Sequence, residues 1–304
     1  MLFPSIRQLL ICSLSLLASC GSRRLKIPSD SFLNDPRMDE TSGIVASSTN
    51  PGYLYAHNDS GDSSRFFAIT PDGRLHAILY FKGDPTLLPL GVRDCEDIAA
   101  GPGPDSSHYV YIGDIGDNNS RRKYITIYRV KEPVLSHPSA DSIPSPSVLI
   151  DHLDADPLFL QYPDGPRDAE TLMVDPIDKL FYIISKRDDS VHVYSTPLYF
   201  KAHDTVTLTM NTHLYFSGRG RWITAGDISP DGDQILIKSY RKVYYWPRHK
   251  EEPVWKALQH TPTILPYIIE PQGEAIGFNL AGTGYYTVSE GVRPELFYYK
   301  LPGL

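Results

Sequence analysis

Asp94-Cys-Glu-Asp-Ile98 and Asp168-Ala-Glu-Thr-Leu172 are two copies of one phrase, acid-x-Glu-x-aliphatic. Looser copies read Glu40-Thr-Ser-Gly-Ile44, Thr224-Ala-Gly-Asp-Ile228 and Gln272-Gly-Glu-Ala-Ile276. Measured at the aliphatic residue, successive copies lie 54, 74, 56 and 48 residues apart. Repeats of this period mark stacked or radially arranged units. Each copy also brings polar groups, mostly carboxylates, to the same place in its unit.

Strand-like runs follow each copy. In the first unit they are Gly43–Ser47, Tyr53–His57, Arg65–Thr70 and Arg74–Phe81, punctuated by Asn50-Pro-Gly and Pro71-Asp-Gly turns. In the second they are Asp97–Gly101, Tyr109–Asp114, Tyr124–Val130 and Val148–His152. The third adds Thr171–Asp175, Leu180–Lys186, Val191–Ser195 and Thr205–Leu214. These are β-branched and aromatic runs bounded by turn residues. No window beyond residues 1–20 carries a helical apolar period. Four antiparallel strands per repeated unit predict an all-β chain folded as a single β-propeller. Solenoid units are shorter and more regular, and a sandwich would not explain the phrase. Five blades are expected, or six if the 74-residue interval hides another. The last unit has three evident strands, so the segment Leu25–Phe32 is expected to supply the missing outer strand and close the ring. Glu132–Pro146, rich in Pro and Ser, reads as a surface excursion of the second blade.

The ends read differently. Residues 1–20 carry Arg7, an apolar stretch from Leu9 to Leu17, and then Leu17-Ala18-Ser19-Cys20. The apolar stretch has signal-peptide length and is too short to span a bilayer, and Leu17-Ala18-Ser19-Cys20 resembles a bacterial lipobox, which implies a lipoprotein signal peptide with Cys20 as the lipidated residue; the alternative is an ordinary signal peptide with a chance cysteine. Lipid on Cys20 would make the membrane a partner, and Gly21 rather than Asp after it points to the outer membrane of a cell envelope. Residues 21–36 would be tether and closing strand, and residues 37–304 the propeller. Only Cys95 would then remain, so no disulfide is expected in the mature chain. A net charge of −7 argues against a nucleic-acid surface. A monomer is expected.

In a propeller the first strand of each blade lines the central channel, and the phrase opens that strand. The end of the second strand returns to the same face. There the chain reads His57-Asn-Asp-Ser-Gly-Asp62, Gly113-Asp-Ile-Gly-Asp-Asn-Asn119, Ser185-Lys-Arg187, Lys238-Ser-Tyr240 and Ser289-Glu-Gly291. Two polar series therefore converge on one end. Converging carboxylates repel, so either some stay protonated or cations neutralise them. The candidate metal ligands are Asp94, Glu96, Asp114, Asp168, Glu170, Asp227 and Glu274, an all-oxygen set suited to calcium or magnesium rather than zinc. Lys186, Arg187, Lys238, Asn58 and Glu290 are the candidate substrate contacts. Glu96, Glu170 and Glu274 are the candidate catalytic acids or bases. The bland alternative stays open: acids at strand starts also cap the N–H groups of a neighbouring blade. Cys95 reads as a small buried residue, and the three tryptophans as packing. There is no Gly-x-Ser-x-Gly elbow, P-loop, His-Glu-x-x-His or Cys-x-x-Cys motif.

The phrases from Glu40, Asp94, Asp168 and Gly273, with Gly113–Asn119 and Tyr162–Glu170, resemble those of bacterial exported phytase-like ("esterase-like activity of phytase") propellers and related propeller lipoproteins. The resemblance spans about residues 37–300. It implies a propeller fold, calcium and phosphoester hydrolysis. The fourth phrase departs from it, with Thr224 at the acid and Gly226 at the glutamate. A shared fold does not fix an activity. The leading expectation is thus a lipid-anchored envelope module that binds a small ligand or a protein partner on an acidic face. The alternatives are a metal-dependent hydrolase of phosphoesters or other anionic substrates, and a scaffold whose acids only cap strands.

Overall fold

Among the described residues, the tyrosine- and isoleucine-rich runs form 21 strands in five sheets, with a single helical turn, α1 (Val254–Ala257), and one short 3-10 segment. The computed structural model describes residues 31–135 and 148–301. Blade 1 is β1 (Thr41–Ala46), β2 (Leu54–Asn58), β3 (Arg65–Ile69) and β4 (Leu75–Phe81). Blade 2 is β5 (Cys95–Pro102), β6 (His108–Asp114) and β7 (Ile125–Lys131), but the next strand leaves it. That strand, β8 (Val148–Leu153), pairs parallel to β4 as a fifth strand of blade 1. The outer place in blade 2 goes to β9 (Ala155–Gln161). Blade 3 is β10 (Ala169–Asp175), β11 (Leu180–Ser185) and β12 (Val191–Pro197). The single run expected over Thr205–Leu214 is split. Its first part, β13 (Thr205–Thr207), pairs parallel to β9 in blade 2, and its second, β14 (Thr209–Leu214), completes blade 3. Blade 4 is β15 (Ile223–Ile228), β16 (Gln234–Ser239), β17 (Lys242–Pro247) and β18 (Thr263–Leu265). Blade 5 is β19 (Gly273–Phe278), β20 (Gly284–Ser289) and β21 (Leu296–Lys300).

The fold is a five-bladed β-propeller. The inner strands touch in cyclic order β1, β5, β10, β15, β19 and back to β1. Five apolar clusters fill the spaces between blades, one per interface. The phrase's aliphatic residue packs there, as Ile98 does between blades 1 and 2 and Ile276 between blades 4 and 5. The extra length of the second unit goes into the detour through β8, not into a sixth blade. Ser31–Leu33 closes the ring against β21: Leu296 N–H donates to Ser31 O at 2.8 Å and Leu33 N–H to Pro294 O at 3.0 Å. The rest of the expected closing segment, the expected signal peptide and Cys20 lie outside the described residues. Among the described residues no helix is long and apolar enough to cross a membrane. Glu132, the first residue of the expected surface excursion, is buried. Its carboxylate accepts from Ser47 Oγ at 2.7 Å and Thr49 N–H at 3.0 Å, tying blade 2 to blade 1.

Each inner strand carries a β-bulge near its start, at Ser42, Glu96, Glu170, Thr224 and Glu274. An extra residue at the same place in every blade re-aims one side chain out of the pleat. This register corrects the fourth phrase by two residues. Thr224, not Gly226, occupies the glutamate position, and Trp222 takes the place of the acid. Gly226 aligns with the aliphatic residue, where a Cβ would lie 2.8 Å from Thr171 Cγ2 and 2.9 Å from Leu236 O.

Candidate functional site

The bulge residues form one ring at the channel mouth, and a second ring lies beside it. The pairing Thr41–Asn58, Cys95–Asp114, Ala169–Ser185, Ile223–Ser239 and Gly273–Ser289 fixes the end of each second strand. The next residue is Asp59, Ile115, Lys186, Tyr240 or Glu290. Backbone bonds pin three of them: Asp59 N–H to Glu40 O at 2.8 Å, Lys186 N–H to Asp168 O at 3.0 Å and Glu290 N–H to Gln272 O at 3.0 Å.

Seven carboxylates meet here in three overlapping groups. Asp59, Glu274 and Glu290 form one, Asp59, Asp94 and Glu96 the second, and Glu96, Asp168 and Glu170 the third. Within each group one oxygen per residue lies within 4.8 Å of the others. Asp59 and Glu96 each belong to two groups. Two cations answer them. Lys186 Nζ is 2.5 Å from Glu170 Oε1 and 3.6 Å from Glu274 Oε1. Arg187 Nε is 2.5 Å from Asp168 Oδ2, and its guanidinium also donates to Asn118 and lies over the Trp222 ring. Tyr240 donates its hydroxyl to Glu274. Glu170 Oε2 is buried and has no hydrogen-bond partner.

The electrostatics follow from burial and crowding. Burial pushes Asp59 up to about 6 and raises Asp94. Burial and the Glu170 charge raise Glu96 well above the carboxylate range. Burial carries Glu170 up to about 8 although Lys186 pulls the other way. Burial and its neighbour Glu274 bring Glu290 up to about 10. Burial also acts to raise Glu274, but Glu290, Lys186 and Tyr240 outweigh it and hold that carboxyl below its ordinary value. Lys186 is raised because the two glutamates outweigh its own desolvation.

Of the residues expected from the sequence, Asp94, Glu96, Asp168, Glu170, Glu274, Glu290, Lys186 and Arg187 come together. Four others do not. Asp114 accepts from Arg93 N–H at 3.0 Å, Asp94 N–H at 3.2 Å and Arg122 Nη1 at 2.8 Å, so it braces the turn behind the mouth. Asp227 caps Ile228 N–H at 2.8 Å and Phe278 N–H of the next blade at 2.8 Å. It lines a cavity of about 460 Å³ at the other end of the channel. Lys238 is fully buried, where it donates to Gly273 O and lies 3.7 Å from Glu270. Asn58 turns its amide to Arg37 O at 2.6 Å and Asp62 at 2.9 Å. Strand capping is thus present as well as the cluster, deeper in the channel, in Asp227 and in Asp97, which holds Leu172 N–H of blade 3 at 2.9 Å. Cys95 is buried, and Trp246 is core. Asp59 and Tyr240 lie in the second polar series quoted from the sequence but are not among its candidate ligands or contacts. Their marker is position, one residue past the second strand.

All-oxygen donors within this spacing fit a hard divalent cation of the calcium type, and the orphaned Glu170 oxygen offers it a free lone pair.

No family model matches the sequence, and no curated protein is significantly similar to it. Among solved structures, a luciferin-regenerating enzyme aligns with a TM-score of 0.47 at 9% identity, over 88% of this chain and 93% of that one. A candidate 6-phosphogluconolactonase from Bacteroides uniformis aligns with a TM-score of 0.39 at 15% identity, over 85% of this chain and 66% of that one. Neither likeness bears on activity.

Proposed function

We propose that this propeller is a lipid-anchored module of the cell envelope that binds a divalent cation, of the calcium type, at its acidic mouth. The cation would present that face to a small ligand or a partner. One observation carries the reading: seven carboxylates in overlapping groups have two cations paired to them, and a buried glutamate oxygen is left without a partner. Glu96, Asp168 and Glu170 would hold the ion, with Asp59 and Asp94 on its other side. Anchoring rests on Cys20 and its preceding Leu-Ala-Ser, and Cys20→Ser should move the chain out of the membrane fraction. Kinship with the phytase-like exported propellers is part of the same reading.

The test is thermal melting of the purified protein in chelator and in millimolar calcium. A ligand bound only by the native state must raise the melting temperature. An upward shift of several degrees is expected, and an unchanged midpoint would remove the cation from the proposal. A second reading has its own observation. Glu170 is held near neutrality, where a general base is most useful. On this reading the chain would be a metal-dependent hydrolase of phosphoesters: Glu96 and Asp168 would hold an ion that supplies Lewis-acid chemistry, and Glu170 would take a proton. Phosphatase activity lost in Glu170→Gln would favour the hydrolase. Absence of activity in both forms favours the binding module.

A further inference from the structure

The cations expected to meet an anion at the mouth, Lys186, Arg187 and Lys238, are all committed to protein oxygens. The uncommitted positive charge lies elsewhere. On blade 2, the Arg121-Arg-Lys123 run precedes β7, and Arg93 ends the turn that leads into β5. Together they line a cavity of about 450 Å³ with Tyr124, Thr126 and Phe159. Arg93, Arg121 and Lys123 are exposed, and none forms an ion pair among the described residues. Two carboxylates share the wall, and both are already engaged. Asp114 is bound by Arg122 at 2.8 Å, and Asp84 accepts from Thr86 N–H at 2.8 Å and Thr86 Oγ1 at 2.7 Å.

Three free cations around one cavity are unusual in a chain of net charge −7. Like charges repel, and Asp84, whose hydrogen bonds come from the neutral Thr86 groups, offsets one of the three at most, so a bound anion would relieve the rest. A monoanion would leave the cavity overcharged. A phosphate group brings a double negative charge and oxygens that match guanidinium forks. The surroundings suit a ligand with a body as well as a charge. Lys123 Nζ lies over the Tyr124 ring at 4.9 Å, and Tyr124 meets Phe159 with ring centroids 6.2 Å apart. A second cavity of about 390 Å³ shares Arg122 and Lys123 and is walled by Tyr162, Pro163 and Pro166. The Tyr162 hydroxyl is buried without a hydrogen-bond partner.

We propose that this pocket binds a phosphate group carried on a small organic or lipid molecule. Arg93, Arg121 and Lys123 hold the phosphate, and the body of the ligand lies along Tyr124 toward Pro163. The site is separate from the acidic mouth and does not depend on a cation there. Calorimetric titration of the purified protein in excess chelator therefore tests it alone. The probes are inorganic phosphate, dihexanoyl phosphatidate below its micelle concentration, and dihexanoyl phosphatidylcholine as the zwitterionic control. Saturable binding of phosphate is expected, weakened about tenfold or more in the Arg121→Ala/Lys123→Ala double variant. Both side chains are exposed, so the variant should melt as the parent does. Tighter binding of phosphatidate than of phosphate identifies a lipid headgroup as the source, and equal binding a free phosphoester. No saturation at millimolar phosphate, or equal binding by parent and variant, overturns the proposal.

Discussion

Lys186 is the residue on which the mouth turns. It is buried between Glu170 and Glu274, and its ammonium bridges the third and fifth blades. Removing one partner of a buried ion pair costs far more than the pair itself contributes, because the remaining charges lose their counter-ion. Lys186→Met should therefore destabilise the protein by about 3–5 kcal/mol. The value should fall toward the lower end near neutral pH, because Glu170 can take up a proton instead of standing charged. Urea denaturation in chelator measures the loss. Millimolar calcium should recover part of it by supplying the missing positive charge. If calcium recovers none, Lys186 is the mouth's own resident cation and the divalent-ion reading falls.

At the scale of the strand, the repeated bulge is the device that builds the site. A regular strand would send alternate side chains to opposite faces. The extra residue turns the glutamate toward the mouth while its neighbours stay in the blade interfaces. Where the glutamate is absent the bulge does other work. Ser42 Oγ donates to Glu96 O at 2.9 Å and Thr224 Oγ1 to Gly273 O at 3.2 Å, each joining its blade to the next. Ser42→Ala should cost about 1 kcal/mol, the usual net worth of one buried hydrogen bond, with the denaturant slope unchanged. A denaturation midpoint equal to the parent's would show that the hydroxyl contributes nothing. The blade count and the convergence of the glutamates were legible because turn residues and strand runs recur in one order. The fourth phrase was misread by two residues because Asp227-Ile228 imitates Asp97-Ile98, the close of the second phrase, and a bulge leaves no mark in composition. The partners of β8 and β13 were equally hidden. An apolar run declares a strand but not which neighbour it joins, and both strands cross to the preceding blade. Asp59 stands in the converging series but was not singled out as a ligand, because its Asn-Asp-Ser-Gly setting reads equally as turn chemistry.

At the scale of the molecule, the ring imposes a pH dependence opposite to that of most carboxylate-rich proteins. Burial lifts Glu170 from 4.5 to about 8, Asp59 from 3.8 to about 6 and the interblade cap Asp227 from 3.8 to about 7. An unfolded chain would ionise these groups near pH 4, while the native state keeps their protons. Between those limits the native state binds more protons than the unfolded state, so stability falls as pH rises. The contribution is fully present below the unfolded values and lost by about pH 8. Carboxylates held low, such as Glu274 and Asp35, act in the reverse sense: their support is present above their unfolded values and fades only in acid. Melting temperature in chelator should accordingly decline from about pH 5 to pH 8. A divalent cation binds the ionised form and releases protons as it does so, so its stabilising effect should grow across the same window. Melting curves at pH 5, 6, 7 and 8 with and without calcium check both limbs. A chelator series that is flat or rises with pH would mean that the mouth carboxylates are ionised in the native state, and the burial argument would fall.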